Sequence, residues 1–306
     1  MDNFFIFGHK NPDTDSICSS IAMEYLQKHM NVNAKAYKLG NINNETKFAL
    51  DYFNVSEPDL LENVTENDNV ILVDHNEFAQ SVNGIEKANI NTVVDHHRIC
   101  DFQTSNPLFY IAEPVGCTST ILYELAIMNN ITLSKEIAGL MLSAIISDTL
   151  LFKSPTCTQK DEKIANELAK IAEVDIESYG LDLLKAGTDL SSYSAKELIN
   201  IDSKELSINN SNVVVAQVNT VCIEDVLKNK ESIENAINDE IKEKNLDLFM
   251  FLITDILNCN SQVIALGNKV ASVEKSYNVT LQNNMAFLDG VVSRKKQVIP
   301  IITPNI

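Results

Sequence analysis

Three short apolar runs in the first part of the chain each stop at acidic or imidazole side chains, and this pattern constrains the fold more than any other feature. Residues 4–7 run into Gly8-His9, residues 70–73 into Asp74-His75, and residues 92–94 into Asp95-His96-His97. Runs this short and apolar, alternating with helical patterns, read as buried strands of a parallel sheet covered by helices, the α/β class. In open α/β sheets ligands collect beyond the carboxyl ends of the strands, so these endings are where a site is to be sought. Four of the five histidines lie there. His29, late in the first helical pattern, reads as a surface residue.

The rest of the chain supplies the helices and a second domain. Ile17, Ile21, Tyr25 and Leu26 recur at helical spacing, with Asp13 or Thr14 placed to cap the first turn. Residues 117–128, 136–146, 160–171 and 176–184 read the same way. At 306 residues the chain exceeds the size at which one core keeps growing, so two domains are expected. The small, polar stretch at 186–192 marks the linker. The expected division is a domain over 1–187, a linker over 188–194 and a smaller α/β domain over 195–306, with strands near 213–218, 248–254 and 262–266 and a covering helix over 231–244.

Composition excludes several classes. A formal charge of -18 repels long polyanions and argues against a nucleic-acid partner. No apolar stretch approaches the roughly 18 residues of a membrane span, and the start lacks a signal-peptide pattern, so a soluble, cytosolic protein is expected. Six scattered cysteines without a C-x-x-C pair read as reduced thiols. Lysine supplies nearly all the positive charge. The two arginines, Arg98 and Arg294, therefore draw attention as sites where a rigid bidentate fork is needed, although a coding bias toward lysine explains the scarcity itself.

Five constellations could carry chemistry. His9, Asp13 and Asp15 form an H-x-x-x-D-x-D loop that can converge on a divalent cation; the bland reading is a capped loop. Asp74 ends an apolar strand, where its two oxygens could bridge two metals or merely begin a polar turn. The His96-His97 doublet is the least ordinary of the endings. Asp148 closes an apolar helix, where an unpaired carboxylate is costly without a cation. Counted together, His9, Asp13, Asp15, Asp74, His96 and Asp148 offer two imidazoles and four carboxylates, a mixture suited to two Mn²⁺ or Mg²⁺-like ions, with Co²⁺ possible. The fifth is the basic run Ser293-Arg294-Lys295-Lys296-Gln297, able to clamp a phosphate or simply to face solvent. Lys204 could add a third cation, though by itself it is indistinguishable from a surface lysine. Cys117 has no base assigned by spacing and reads as a buried or helix-capping residue rather than a nucleophile.

These motifs, in this order and at this length, resemble the family II, manganese-dependent inorganic pyrophosphatases of the DHH phosphoesterase superfamily. The Asp-His-His signature specifies only the superfamily, whereas the C-terminal Ser-Arg-Lys-Lys-Gln run and the lack of any Gly-Gly pair point to the pyrophosphatases. The resemblance implies hydrolysis of pyrophosphate by a metal-bridged hydroxide, in a cleft between a DHH domain with helices on both sheet faces and the second domain. It implies one metal on His9, Asp13 and Asp74 and another on Asp15, Asp74, His96 and Asp148, two Mn²⁺ in all, with further Mg²⁺ entering with substrate. His97, Lys204, Arg294 and Lys295 would bind the phosphates and, with Asp74, act in catalysis. A homodimer is expected. A DHH-type exopolyphosphatase or nucleotide phosphodiesterase is the alternative activity, and a non-catalytic metal-dependent binding protein the alternative of another class.

Overall fold

The computed structural model describes residues 3–306. The chain divides into two compact units, the first ending at Gly187 and the second beginning at Thr188.

In unit 1, β1 (Phe4–Phe7), β2 (Ala34–Lys38), β3 (Asp59–Leu60), β4 (Asn69–Val73), β5 (Asn89–Asp95) and β6 (Phe109–Ala112) form one sheet in the order β3-β2-β1-β4-β5-β6. Every pairing is parallel. The order reverses between β1 and β4, whose registered ends, Phe7 beside Leu72, bring Gly8-His9 and Asp74 out at the same place. That reversal is the switch point at which such sheets leave a crevice.

Six helices follow the strands or lie between them: α1 (Thr14–His29), α2 (Asn44–Tyr52), α3 (Thr118–Met128), α4 (Lys135–Thr149), α5 (Gln159–Ala172) and α6 (Ile176–Gly187). They pack on one another, with α1 against β1, β2 and β4 and α3 against β5. The helices expected on the second sheet face are replaced by connecting segments. The apolar cluster there joins Phe7, Val70, Leu72, Ile90 and Val93 to Val64, Val82, Ile85, Phe78 and Phe102, drawn only from strands and their connections. The links from β4 to β5 and from β5 to β6 carry turn-forming Asn83-Gly84 and Ser105-Asn106-Pro107, and only the single turn Phe78–Gln80 forms.

Unit 2 opens with the single-turn helix α7 (Ala195–Leu198) and then β7 (Ser203–Ile208), β8 (Ser211–Thr220), α8 (Ile223–Leu227), α9 (Lys230–Lys244), β9 (Leu248–Asp255), β10 (Asn260–Leu266), α10 (Val270–Tyr277), β11 (Met285–Leu288) and α11 (Ile299–Ile302). Its sheet runs β11-β10-β9-β8-β7 and is mixed: β8 and β9 are parallel, the other pairs antiparallel. Every residue of central β9 is buried, because both faces carry a core. The segment Arg294–Val298 forms a π-helical turn ahead of α11, and Val298 and Ile302 anchor it in the core.

Candidate metal centre

The residues that gather at the switch point are placed by backbone, not by long flexible arms. Asp13 is the N-cap of α1, its Oδ1 accepting from the Ser16 amide at 2.9 Å, which leaves Oδ2 beside His9. Asp15, in the first turn, is wholly buried; Ser19 Oγ and the Thr118 amide donate to its two oxygens at 2.6 and 2.7 Å. Asp74 sits in the left-handed region, φ 59°, directly after β4, a conformation that turns its carboxylate across the strand ends. Asp148 is in the last turn of α4. Immediately beyond it Leu150, Leu151 and Phe152 are all left-handed, with φ of 47°, 51° and 67°.

His9 and His96 each have one ring nitrogen fixed and the other turned inward. His9 Nδ1 donates to the Lys10 carbonyl at 2.8 Å, and Nε2 lies 3.4 Å from both Asp13 Oδ2 and Asp74 Oδ2. His96 Nδ1 donates to the Val115 carbonyl at 3.1 Å, leaving Nε2 at 3.3, 3.7 and 3.9 Å from Asp74, Asp148 and Asp15. Tying one nitrogen to an acceptor in this way sets which nitrogen can ligate. Three sets of potential ligand atoms result: His9, Asp13 and Asp74; Asp15, Asp74, His96 and Asp148; and Asp74, His96 and His97.

The electrostatics of the cluster are short of positive charge. Burial disfavours a charged His9, yet the Asp13 and Asp74 carboxylates overcome it and push the imidazole up to about 11. Burial likewise opposes protonation of His96, but Asp74 and Asp15 raise it to about 9. Asp74 is buried too, and these two imidazoles hold its carboxyl below the ordinary range. Burial and the neighbouring Asp74 raise Asp15 to about 6, and burial with Asp15 and Asp74 raises Asp148 well above its usual value. Two of the carboxylates thus lack compensation, and Asp74 Oδ2 is buried without a hydrogen-bond donor. Hard oxygen and imidazole donors with a deficit of positive charge fit divalent cations of the Mn²⁺ or Mg²⁺ kind. Thiolate ligation is disfavoured here, since burial raises the Cys117 thiol well above its normal value.

Several residues that the sequence left open or passed over now have places. Asp95 is wholly buried and accepts from the His97 amide and, at 3.0 Å, from His97 Nδ1, which raises that imidazole; Asn76 Nδ2 in turn donates to Asp95 at 2.6 Å. Thr118 Oγ1 reaches Asp74 Oδ1 at 3.2 Å. Glu45, on α2, accepts from Thr14 and from Ser147, joining the helix start that carries Asp13 and Asp15 to the helix end that carries Asp148. His75 is buried between the Val73 carbonyl and Ser81 and serves packing. Cys117 is buried at the N-cap of α3 without a side-chain cap bond. Arg98 lines, with Asp13, Asp74, His96, His97 and Asp148, a cavity of about 390 Å³. Asp95 and Asn76 carried a sequence signal, since Asp95 opens the Asp95-His96-His97 ending and Asn76 lies two residues after Asp74. Thr118 and Glu45 carried none.

The basic residues lie in unit 2. The Arg294 fork is engaged by Asp202, Nη2 meeting Oδ1 at 2.7 Å and Nη1 the backbone carbonyl at 2.5 Å, while the Arg294 amide donates to Gln217 Oε1. Nη1 also reaches the Val215 carbonyl, and Val215 faces Lys204 across the β7–β8 ladder. Gln297 accepts from the Val292 and Ser293 amides and donates to the Gly290 carbonyl, closing the loop that presents Arg294 and Lys295. Lys204 and Lys295 are exposed.

Two family models cover most of the chain. Residues 3–145 match the N-terminal domain of the DHH family and residues 181–304 the DHHA2 domain, which defines a two-domain protein of the DHH–DHHA2 class. The manganese-dependent inorganic pyrophosphatase of Bacillus subtilis (strain 168) is 56% identical over 304 residues, 99% of this chain and 98% of its own. A probable enzyme of the same name from Bacillus velezensis is 55% identical over 307 residues, 100% and 99% of the two chains. A crystal structure from Methanococcus jannaschii, provisionally named a family II inorganic pyrophosphatase, matches at 40% identity with a TM-score of 0.63, covering 99% of each chain. The chain belongs to the family of manganese-dependent inorganic pyrophosphatases.

Proposed function

We propose that the protein hydrolyses inorganic pyrophosphate to two phosphates, using two Mn²⁺ per subunit with further Mg²⁺ entering on the substrate. The observation that carries this reading is the position of Asp74, whose oxygens face both ligand sets while one of them lacks a hydrogen-bond donor. The Bacillus relatives that bear the activity in their names support the substrate. His9, Asp13 and Asp74 would hold one ion, and Asp15, Asp74, His96 and Asp148 the other. When bound, such ions lower the pKa of water and neutralise phosphate charge.

The chain's own part is to place and balance charge. Asp95 accepts from His97 Nδ1 and raises that imidazole, which favours the form whose Nε2 can donate to a phosphate oxygen. Lys204, Arg294 and Lys295 would take the remaining phosphate charge, the Arg294 fork exchanging the Asp202 carboxylate for phosphate. Reduced thiols throughout support a cytosolic setting. The open edge strand β6, with Phe109 exposed, supports a homodimer formed through unit 1.

The test is phosphate release by chelated protein after Mn²⁺ or Mg²⁺ is restored, on pyrophosphate beside polyphosphate and a dinucleotide. Mn²⁺-stimulated release confined to pyrophosphate is expected. Preference for polyphosphate or the dinucleotide moves the protein to another DHH activity, and metal uptake without release of phosphate makes it a binding protein.

A further inference from the structure

Asp161 lies outside the candidate ligand set, yet it fixes the loop that enters α3. Its carboxylate is wholly buried and gathers donors from two places in the chain. Oδ2 accepts from the Gly116 amide at 2.9 Å, the Thr158 amide at 2.8 Å and Thr158 Oγ1 at 2.6 Å, and Oδ1 accepts from Thr120 Oγ1 at 2.6 Å. Two of these bonds cap α5. The other two serve no cap of α5; they hold residues 116–120.

Of the residues special to each candidate set, that loop touches His96 and Asp15 of one and neither His9 nor Asp13 of the other, and it also touches Asp74, which both sets share. The Val115 carbonyl holds His96 Nδ1, the Thr118 amide holds Asp15 Oδ2, and Thr118 Oγ1 holds Asp74 Oδ1. His9 is oriented instead by Lys10, and Asp13 by its capping of α1. Gly116 leaves no slack, because a Cβ there would stand 2.9 Å from Asp161 Oδ2 and 2.8 Å from a Thr149 methyl. Movement of the loop would therefore be felt by three residues of one set and, in the other, by the shared Asp74 alone.

We propose that Asp161 is a positioning residue for the ion held by Asp15, Asp74, His96 and Asp148, acting through residues 115–118. The inference rests on the two-set reading of the centre. Its prediction is selective: loss of Asp161 weakens that ion more than the one on His9 and Asp13, which the loop reaches only through the shared Asp74, whereas a residue that merely stabilises the fold affects both equally or neither.

The experiment is a Mn²⁺ titration of the full-length, metal-free protein by calorimetry, with electron paramagnetic resonance on the loaded sample and a melting curve. Wild type is expected to take up two ions and give the spectrum of a spin-coupled pair. In Asp161→Asn, which removes the buried negative charge shared by the Gly116 and Thr158 donors and turns an amide donor toward Thr120 Oγ1, one site should weaken roughly ten- to hundredfold, as for other groups that orient ligands, and an isolated-ion spectrum should replace the coupled one. Thr158→Ala, which removes the hydroxyl cap of α5 and one donor to Asp161 but leaves its Gly116 and Thr120 bonds in place, should melt lower yet bind both ions as wild type does. Should Asp161→Asn not fold, Thr120→Val provides the test, with a smaller loss confined to the same site. Unchanged binding of both ions in Asp161→Asn, or an equal loss at both sites, overturns the proposal, as does unchanged binding in Thr120→Val. A wild-type protein that takes up a single ion overturns the two-set reading and this inference with it.

Discussion

Asp74 is unfavourable for stability in three respects, being charged, buried and left-handed at φ 59°. A residue so placed is held by its surroundings, here the Val94 carbonyl on its amide and Thr118 on its side chain. Asp74→Ala removes an oxygen donor from both candidate sets and should lower Mn²⁺ uptake below two ions and kcat by about a thousandfold, equivalent to ~4 kcal/mol. Calorimetry and phosphate release measure the two effects, and wild-type values in either would refute the bridging role. The pH dependence follows from the same cluster. His9 and His96 sit at about 11 and about 9, above an unfolded value near 6.5, so at neutral pH both carry protons that ligation must displace. Mn²⁺ affinity should therefore rise with pH from 6 to 9 with net proton release, seen as a buffer-dependent heat; an affinity flat over that range would contradict it. Most of the residues gathered here were legible in the sequence, because His9, Asp74, His96 and Asp148 each terminate an apolar element. Asp161 and Glu45 were not, since their meaning lies in partners that the chain brings from tens of positions away.

Elements were legible where burial on both faces wrote an unbroken apolar run, as in β1, β4 and β9, or where a cap preceded an amphipathic stretch, as in α1. Those missed are short or half-exposed. β2 carries two lysines in five residues, β3 has two residues, and β6 and β11 are edge strands. α4 illustrates how an element delivers a ligand. It is buried along almost its whole length and ends in three left-handed residues, of which Leu151 is itself buried. Gly139 lies in the middle of α4, where alanine ordinarily stabilises a helix by about 0.5–1 kcal/mol. Here the added methyl would run into the Phe53 ring at the end of α2. Gly139→Ala should instead destabilise by about 1–3 kcal/mol in urea unfolding of the loaded protein, with Mn²⁺ stoichiometry kept; a gain in stability would show that the helix can shift away from Phe53.

At the scale of the molecule, one chain maintains separate cores in its two units, and all the candidate metal ligands belong to the first. Adding Mn²⁺ to chelated protein should stabilise the native state by about 2.7 kcal/mol for each site held at a hundredfold excess over its Kd. Hydrogen exchange should locate the protection in unit 1, around residues 70–76, 92–97 and 115–120, and leave central β9 unchanged. Protection spread evenly over both units would mean that the ions are bound elsewhere. The ligands also span positions 9 to 148 of the sequence, and neither set is complete without Asp74. No locally folding segment contains a full site: the first set needs β1 and β4 paired, and the second needs the end of β5 and α4 as well, so neither forms until distant parts of the chain have met. The ion meets a finished mould, whose spacing and hardness choose it, in place of the affinity ranking by which copper and zinc would outcompete manganese on an unfolded chain. Late assembly of the site thus places the choice of metal after folding, and a chain that meets Cu²⁺ or Zn²⁺ while still incomplete is where that order would fail.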